Sequence, residues 1–242
     1  MQPLVITVDG PAGVGKSTVA HLVAKRLNIA FLDTGAMYRG IAVLCLEAGV
    51  DPKRDPHGVA HLAEQAQIRF DWQADPPGLI VADGESQRDL TDRLRDDDVT
   101  QTVSQIATIA MVRKILVDAQ RQIAMDRLRL VTEGRDQGSV VFPDAPLKFF
   151  LDADPAKRAQ RRAKQLRDAG VYVDENEILD SIRSRDYRDS HRTDGPLMCA
   201  SDAIRIDTST IKQEIVVDLI VKQVQQYIDS QYDDHGVWKG VD

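Results

Sequence analysis

Four arginines fall within residues 183–192 of a chain whose formal net charge is −7 at pH 7. If the segment is helical, one face of it carries Arg185, Arg188, Asp189 and Arg192. These positions are spaced i, i+3, i+4 and i+7, which brings them together on a helix. Guanidinium forks around one carboxylate suit an anionic ligand that also carries hydroxyl groups. A surface ion-pair network is the commoner origin of such a run, so the rest of the sequence has to decide.

A glycine-rich turn near the start of the chain matches the pattern G-x-x-x-x-G-K-[ST]. A short apolar run precedes the turn, and apolar residues at helical spacing follow it. Glycines let backbone N–H groups point at phosphate oxygens, and the helix N-terminus adds its positive dipole. We therefore predict a cradle for a nucleoside triphosphate, formed by Gly10, Pro11, Ala12, Gly13, Val14, Gly15, Lys16, Ser17 and Thr18. Lys16 is expected to reach the β- and γ-phosphates, and the Ser17 hydroxyl to hold Mg²⁺.

Two further charged groups occur where a nucleotide site needs them. Arg158, Arg161 and Arg162 precede a glycine-containing break at 169–173, and the arginine run follows that break. Two helices with this layout suit a lid that closes over both substrates, although a salt-bridged helix pair gives the same pattern. The charged turn 133–136 directly follows a predicted core strand, and ligands of open α/β sheets bind at such strand ends.

The elements that must position these residues alternate between strand and helix, which predicts an α/β fold with a doubly wound parallel sheet. Core strands are expected at 4–8, 29–32, 129–132, 147–153 and 203–207, and helices at 99–107 and 110–125. Asp154 and Asp174 are expected to cap the two arginine-bearing helices. The final helix is expected to turn one apolar stripe inward, made of Ile211, Ile215, Leu219 and Val224.

One stretch interrupts this alternation. Residues 50–60 are rich in Asp, Pro and His and are predicted to be a loop. The segments 68–72 and 78–84 alternate in polarity and predict an antiparallel hairpin, hence an insertion with its own small sheet. Residues 85–98 are polar and acidic, and the tail after Asp229 is polar and expected to fray.

The composition restricts the class of protein further. With 242 residues, 43% of them hydrophobic and 29% charged, the chain is typical of soluble globular proteins. The acidic balance argues against nucleic-acid binding as the main function. Two cysteines exclude a disulfide framework, and no apolar stretch suits a signal peptide or a membrane span. We therefore expect a cytoplasmic monomer without a nucleic-acid or membrane partner.

Four motifs occur in a fixed order: DGPAGVGKST, LDTGAMYRG, EGRDQGSVVFPDAP and RDYRDSHR. With them the chain resembles bacterial-type cytidylate kinases, from Leu4 to about Tyr227. The resemblance implies a P-loop kinase with a five-stranded sheet that transfers a phosphoryl group from ATP to CMP or dCMP with Mg²⁺. It implies a single domain over 1–242, with its core at about 1–60 and 99–228. An inserted monophosphate-binding subdomain is expected at about 61–98 and a helical lid at about 156–192.

The resemblance also implies residue roles. The cytosine contacts match Ser104, Arg113 and Asp136; the sugar contacts match Arg185 and Asp189; the phosphate contacts match Arg39 and Arg192. The whole predicted acceptor site comprises Thr34, Arg39, Ser104, Arg113, Arg135, Asp136, Arg185, Arg188, Asp189 and Arg192. The predicted catalytic residues are Lys16, Arg158, Arg162 and Arg192. The chemistry agrees, because a carboxylate suits the cytosine amine and a guanidinium suits N3 and O2.

Some alternatives stay open at the level of sequence. Ser17 is the predicted Mg²⁺ ligand, and Asp9 and Glu133 are candidates for contact through water. The absence of an Asn-Lys-x-Asp motif argues against a GTPase. Two other functions remain: a P-loop kinase for another nucleoside monophosphate or small acceptor, and a non-catalytic nucleotide-binding protein.

Overall fold

The computed structural model describes residues 3–83, 86–168 and 170–231. Its strands in that part of the chain are β1 (Leu4–Asp9), β2 (Ala30–Asp33), β3 (Gln67–Asp71), β4 (Gly78–Asp83), β5 (Ser86–Asp89), β6 (Arg129–Glu133), β7 (Leu147–Asp152) and β8 (Ile204–Asp207). Five of them form a parallel sheet in the order β2-β6-β1-β7-β8, and the other three form a small antiparallel sheet in the order β3-β4-β5. The predicted fold class is confirmed.

Helices connect the strands of the parallel sheet. They are α1 (Lys16–Leu27), α2 (Thr34–Ala48), α3 (Pro56–Gln65), α4 (Asp97–Ile106), α5 (Ala110–Arg127), α6 (Pro155–Asp168), α7 (Glu175–His191) and α8 (Gln213–Ser230). A 3₁₀ turn spans Thr91–Arg95 and a π-helical turn spans Gln137–Val141. Within the described ranges, no helix combines the length and apolarity that a membrane crossing requires.

The two caps expected from the sequence are present. Asp154 accepts hydrogen bonds from the backbone N–H groups of Ala156 and Lys157 at the start of α6. Asp174 accepts from the N–H of Asn176 at the start of α7. Each carboxylate satisfies N–H groups that have no partner within the helix, and this fixes where the two arginine-bearing helices begin.

The prediction of a loop over 50–60 is wrong in its second half, because α3 begins at Pro56. Asp55 caps this helix by accepting from the N–H of Gly58 at 2.8 Å, and Pro56 occupies its first turn. Val59 and Ala60 are buried on its inner face. Composition alone marked this stretch as irregular, whereas the Asp-Pro pair is a helix start.

The antiparallel hairpin is confirmed as β3 and β4, and its surroundings are more regular than their polar composition suggested. A third strand, β5, pairs with β4, and the 3₁₀ turn follows it. Residues 84 and 85 lie outside the described residues, as do 232–242 of the predicted frayed tail. The first residues of that predicted tail are helical instead, because α8 continues to Ser230.

The inward face of the last helix differs from the predicted stripe. Ile215 and Leu219 are 48% and 45% exposed, whereas Val216, Val217 and Ile220 are buried with Val224. Both sets recur at helical spacing, so periodicity could not choose between them. Packing against α1 makes the choice, and α8 begins only at Gln213, after Ile211.

Two apolar clusters cover opposite faces of the parallel sheet, since neighbouring strand residues alternate between them. The cradle-side core includes Ile6, Val8, Val14, Val19, Val23, Phe149, Leu151, Val217 and Ile220. The insert-side core includes Met37, Ile41, Phe70, Leu79, Val81, Ile106, Val112 and Leu116. The antiparallel sheet thus shares one core with the helices that flank the parallel sheet.

Leu79 of β4 packs against α2 at Gly40, where the absence of a side chain leaves room for it. A Cβ added at Gly40 would lie 2.6 Å from Leu79 Cδ2, and Leu79 is 1% exposed. Because truncation leaves a cavity, we expect Leu79→Ala to lower the free energy of unfolding by about 2–5 kcal/mol, measured by urea denaturation. Leu219→Ala is the matched control, with an expected loss below about 1 kcal/mol at its exposed position. Equal losses would contradict the packing described here.

Candidate active site

The turn between β1 and α1 has the backbone shape of a phosphate cradle. Gly10, Gly13 and Gly15 have φ values of 146°, 80° and 91°, in a region that favours glycine. A Cβ at Gly10 would lie 2.0 Å from the Leu151 carbonyl oxygen, so this position also needs glycine for close approach to β7. The Val14 side chain is buried in the cradle-side core, which leaves its backbone for ligand contact.

Lys16 begins α1 with its amine inside the cradle. The side chain is buried, and Nζ donates to the Pro11 carbonyl oxygen at 2.8 Å. Burial, and then the nearby Arg135 guanidinium, lower the pKa of Lys16 to about 7, against the opposing pull of Glu133 and Asp9. Bound phosphate would supply the anionic partner that this amine lacks, and would therefore favour its charged form.

Carboxylates gather at the carboxyl ends of β1, β2 and β6. Ser17 Oγ donates to Glu133 Oε1 at 2.7 Å, and Thr34 Oγ1 donates to the Glu133 backbone oxygen at 2.7 Å. Burial and the neighbouring Glu133 carboxylate raise the pKa of Asp33. Oxygen ligands of this kind are those that Mg²⁺ prefers, with phosphate oxygens completing its shell in kinase sites. The residues present fit a nucleotide-bound Mg²⁺ at Ser17.

Asp9 holds the turn that follows β6. Its two carboxylate oxygens accept from the N–H groups of Gln137 and Gly138 at 2.9 and 2.7 Å. Burial is the main cause that raises the pKa of Asp9 to about 6. These bonds fix the backbone immediately after Arg135 and Asp136, so Asp9 positions the charged turn.

Two of the three predicted base-reading residues, Arg113 and Asp136, are directly paired. Arg113 Nη2 donates to Asp136 Oδ2, both side chains are buried, and Arg113 Nη1 lies 3.4 Å from the Tyr38 hydroxyl. A Cβ at Gly195 would lie 2.0 Å from Arg113 Nη2, so the backbone after α7 covers this pair. Ser104, the third, lines an open cleft that the α4–α5 turn, the segment 52–56 and Arg188 of α7 also line.

Several of the predicted acceptor-site residues other than Arg39 lie next to this pair or to the adjoining turn. Arg135 Nε donates to Asp189 Oδ2 at 2.9 Å. Arg192 Nη2 lies 3.6 Å from Asp136 Oδ2. Burial, and then Arg135, lower the pKa of Arg185 to about 10. An anion bound among these guanidinium groups would favour their charged forms.

Three buried guanidinium nitrogens in this cluster lack a hydrogen-bond partner among the described residues. They are Nε of Arg113, Nε of Arg185 and Nη2 of Arg192. Buried donors are rarely left unpaired, because the loss of hydration costs about 1–3 kcal/mol for each. All three belong to the predicted acceptor site, and an oxygen-rich ligand could satisfy their N–H groups.

The other predicted arginines have different environments. Arg39 Nη1 donates to the Leu94 carbonyl oxygen at 3.0 Å and to Thr100 Oγ1 at 2.9 Å, next to the inserted sheet. Arg162 is exposed on α6 without an ion pair inside the described ranges, and Arg188 is exposed with a local bond to the Ser184 carbonyl oxygen. Arg158 is buried beneath the cradle.

Sequence reasoning did not identify Asp33, Asp186 or Gly195 as site residues. Asp33 ends β2, so the rule that ligands bind at the carboxyl ends of strands could have found it. Asp186 and Gly195 carried no such signal, since their partners Arg158 and Arg113 are distant along the chain.

A parallel sheet with a glycine cradle between β1 and α1, and an arginine-lined pocket at the carboxyl ends of its strands, defines a P-loop nucleotide-binding protein. The family model for cytidylate kinase matches residues 6–226. The chain belongs to the cytidylate kinase family.

Two relatives illustrate the match. A cytidylate kinase from Clostridioides difficile (strain 630) is 42% identical over 224 residues, covering 93% of this chain and 99% of that protein. A bifunctional pantoate ligase/cytidylate kinase from Synechococcus sp. (strain JA-3-3Ab) is 46% identical over 226 residues, but the chain spans only 41% of its length. A solved gluconokinase from Sinorhizobium meliloti 1021 aligns over 96% of this chain and 98% of its own, at 14% identity and TM-score 0.48.

Proposed function

We propose that this protein transfers the γ-phosphoryl group of ATP to CMP or dCMP and releases ADP with CDP or dCDP. Membership of the cytidylate kinase family supports the reaction. The buried guanidinium nitrogens of Arg113, Arg185 and Arg192 that lack a hydrogen-bond partner among the described residues are the observation that carries the acceptor site. Their donors and the Asp136 carboxylate suit a ligand with a phosphate, hydroxyls and a cytosine edge.

The reaction needs no general base, because the attacking phosphate oxygen of the acceptor is already anionic. Catalysis then consists of alignment and charge stabilisation. Lys16 provides a positive charge at the β- and γ-phosphates, and the cradle N–H groups hold their oxygens. Arg39 and Arg192 would neutralise the acceptor phosphate, while Arg185 and Asp189 would hold the sugar.

We propose that Mg²⁺ binds at the Ser17 hydroxyl, supported by its 2.7 Å bond to Glu133. The metal would neutralise charge on the β- and γ-phosphates during transfer. Asp9 is already committed to two backbone N–H groups, so of the two candidate carboxylates Glu133 is the better placed to contact the metal through water.

We further propose that the segments at about 61–98 and 156–192 act as the monophosphate-binding subdomain and the lid. The bond between Arg39 and the Leu94 carbonyl oxygen supports the first, since it joins a phosphate-binding residue to the insert. The charged residues that α6 and α7 bring to both nucleotide sites support the second. One chain supplies every residue of this site, so a monomer suffices, and the free thiols of Cys45 and Cys199 agree with a reducing cytoplasm.

The proposal predicts a ranking of acceptors, measured by coupled ADP detection with CMP, dCMP, UMP and AMP at fixed ATP and Mg²⁺. CMP and dCMP should be phosphorylated with kcat/KM at least about tenfold above UMP, because uracil reverses the hydrogen-bonding pattern that Asp136 and Arg113 present.

Equal or faster turnover of AMP would contradict the proposed acceptor. ATP binding without transfer to any acceptor would indicate the non-catalytic alternative.

A further inference from the structure

The guanidinium of Arg158 donates hydrogen bonds from all three of its nitrogens. Its side chain is 3% exposed, and its Nε donates to the Ala153 carbonyl oxygen at 3.0 Å. Nη1 donates to the Ala12 carbonyl oxygen of the cradle at 3.1 Å. The fork then pairs with both oxygens of Asp186 on α7, at 3.1 and 2.6 Å. Four N–H groups of this guanidinium are therefore in use before a nucleotide is present.

The helix that carries Asp186 packs along α6. No residue of α7 is buried, so an apolar face does not hold it in the way that such faces hold α2 or α5. Among the described residues, two side-chain links join it to the two nucleotide sites. Asp189 reaches Arg135 of the acceptor turn, and Asp186, one helical turn earlier, reaches the cradle through Arg158.

We propose that Asp186 is a positioning residue that sets the register of the two nucleotide sites, meaning their distance and alignment relative to each other. It acts through Arg158, whose stem also packs beside Gly13 of the cradle, with 3.6 Å between the Arg158 Cβ and a Cβ placed at Gly13. The pair fixes the distance from the cradle, which holds ATP, to the α7 residues that hold the acceptor. This inference rests on the proposed function, because it assigns a role to α7 within that two-nucleotide site.

A residue that fixes only the alignment of two sites affects the rate of transfer more than the binding of either ligand. Each nucleotide site keeps its own contacts without Asp186, since the cradle belongs to β1 and α1, and the α7 residues of the acceptor site stay joined to the turn after β6 through Asp189 and Arg135. The alignment of the two phosphates changes, however, and a misplacement of about 1 Å can reduce transfer by about a hundredfold. Coupling between the two ligands should also weaken, because α7 then moves without the cradle.

The test compares Asp186→Asn and Asp186→Glu with wild type. Asp186→Asn keeps the shape of the side chain but removes its charge and one of its two acceptor oxygens. We expect kcat to fall about 10- to 100-fold in this variant, while the Kd of CMP alone and of a non-hydrolysable ATP analogue alone each change less than about threefold. Asp186→Glu keeps the charge and should recover kcat to within about tenfold of wild type.

Glu175→Gln is the matched control, because Glu175 also joins α7 to α6, through Arg167 at 3.6 Å on the exposed surface. Its kcat should change less than about twofold. Thermal unfolding of every variant verifies that the fold is intact.

The decisive readout is the change in CMP affinity that the ATP analogue causes, measured by titration calorimetry. Wild type should show tighter CMP binding in the presence of the analogue, and Asp186→Asn should lose most of that gain. An unchanged kcat with unchanged coupling would overturn the proposal, and so would an equal loss of both single-ligand affinities.

This outcome is separable from failure of the proposed function. If wild type phosphorylates another monophosphate, the same coupling is measured with that monophosphate in place of CMP. If wild type transfers no phosphoryl group at all, the proposed function fails, while the loss of binding coupling in Asp186→Asn still tests the register role.

Discussion

Lys16→Ala is expected to lower kcat by about a thousandfold or more, which corresponds to about 4 kcal/mol of lost transition-state stabilisation. Among the described residues, the amine inside the cradle has one hydrogen-bond partner, a carbonyl oxygen, so we expect its main role to be toward phosphate. Burial lowers the pKa of Lys16 to about 7 against the opposing pull of Glu133 and Asp9, so a bound phosphate would favour the charged form of the amine. Single-turnover kinetics with saturating ATP and CMP would measure the effect.

Lys25→Ala is the matched control for this variant. Lys25 lies on the same helix, but its Nζ pairs on the exposed surface with Asp75 at 2.5 Å. We expect its kcat to change less than about twofold, since surface ion pairs contribute little. Retention of most of kcat in Lys16→Ala would show that the cradle aligns phosphate without this amine.

Asp136→Asn is expected to reduce the preference for CMP over UMP by about 10- to 100-fold, mainly through loss of activity with CMP. The carboxylate faces Arg113 and Arg192, and this arrangement suits an amine at C4 with acceptors at N3 and O2. An asparagine keeps the shape, and its amide can rotate to donate to the O4 atom of uracil. The measurement is kcat/KM for both monophosphates in wild type and variant.

Asp144→Asn serves as the control, because Asp144 is exposed on the loop that follows the same turn. It should leave the ratio of CMP to UMP activity unchanged. An unchanged ratio in Asp136→Asn would mean that Asp136 does not read the base. The KM for ATP should remain within about threefold in both variants, since the cradle is separate from this pair.

The features that could be predicted from the sequence are those encoded in contiguous residues. The cradle occupies one turn, so its glycines, Lys16 and Ser17 are recognisable from spacing alone. The strands of the parallel sheet are short apolar runs, and Asp154 and Asp174 stand directly before the helices that they cap. In each case the physical cause lies within a few residues of its effect.

The features that could not be predicted depend on partners elsewhere in the chain. The choice of the buried stripe in α8 follows from contact with α1, which leaves Ile215 and Leu219 outside. Asp186 looks like any surface aspartate until α6 brings Arg158 against it. The need for glycine at position 195 arises because the chain after α7 folds back over Arg113. The spacing of residues along the sequence does not indicate such long-range contacts.

The contact between Gly40 and Leu79 has a consequence for how this family can vary. The two residues belong to α2 and to the inserted sheet, and any side chain at position 40 would enter the space that Leu79 fills. A larger residue at 40 therefore requires a smaller or displaced one at 79, and the two positions should mutate as a pair. Grafting the insert between relatives therefore requires both halves of that contact.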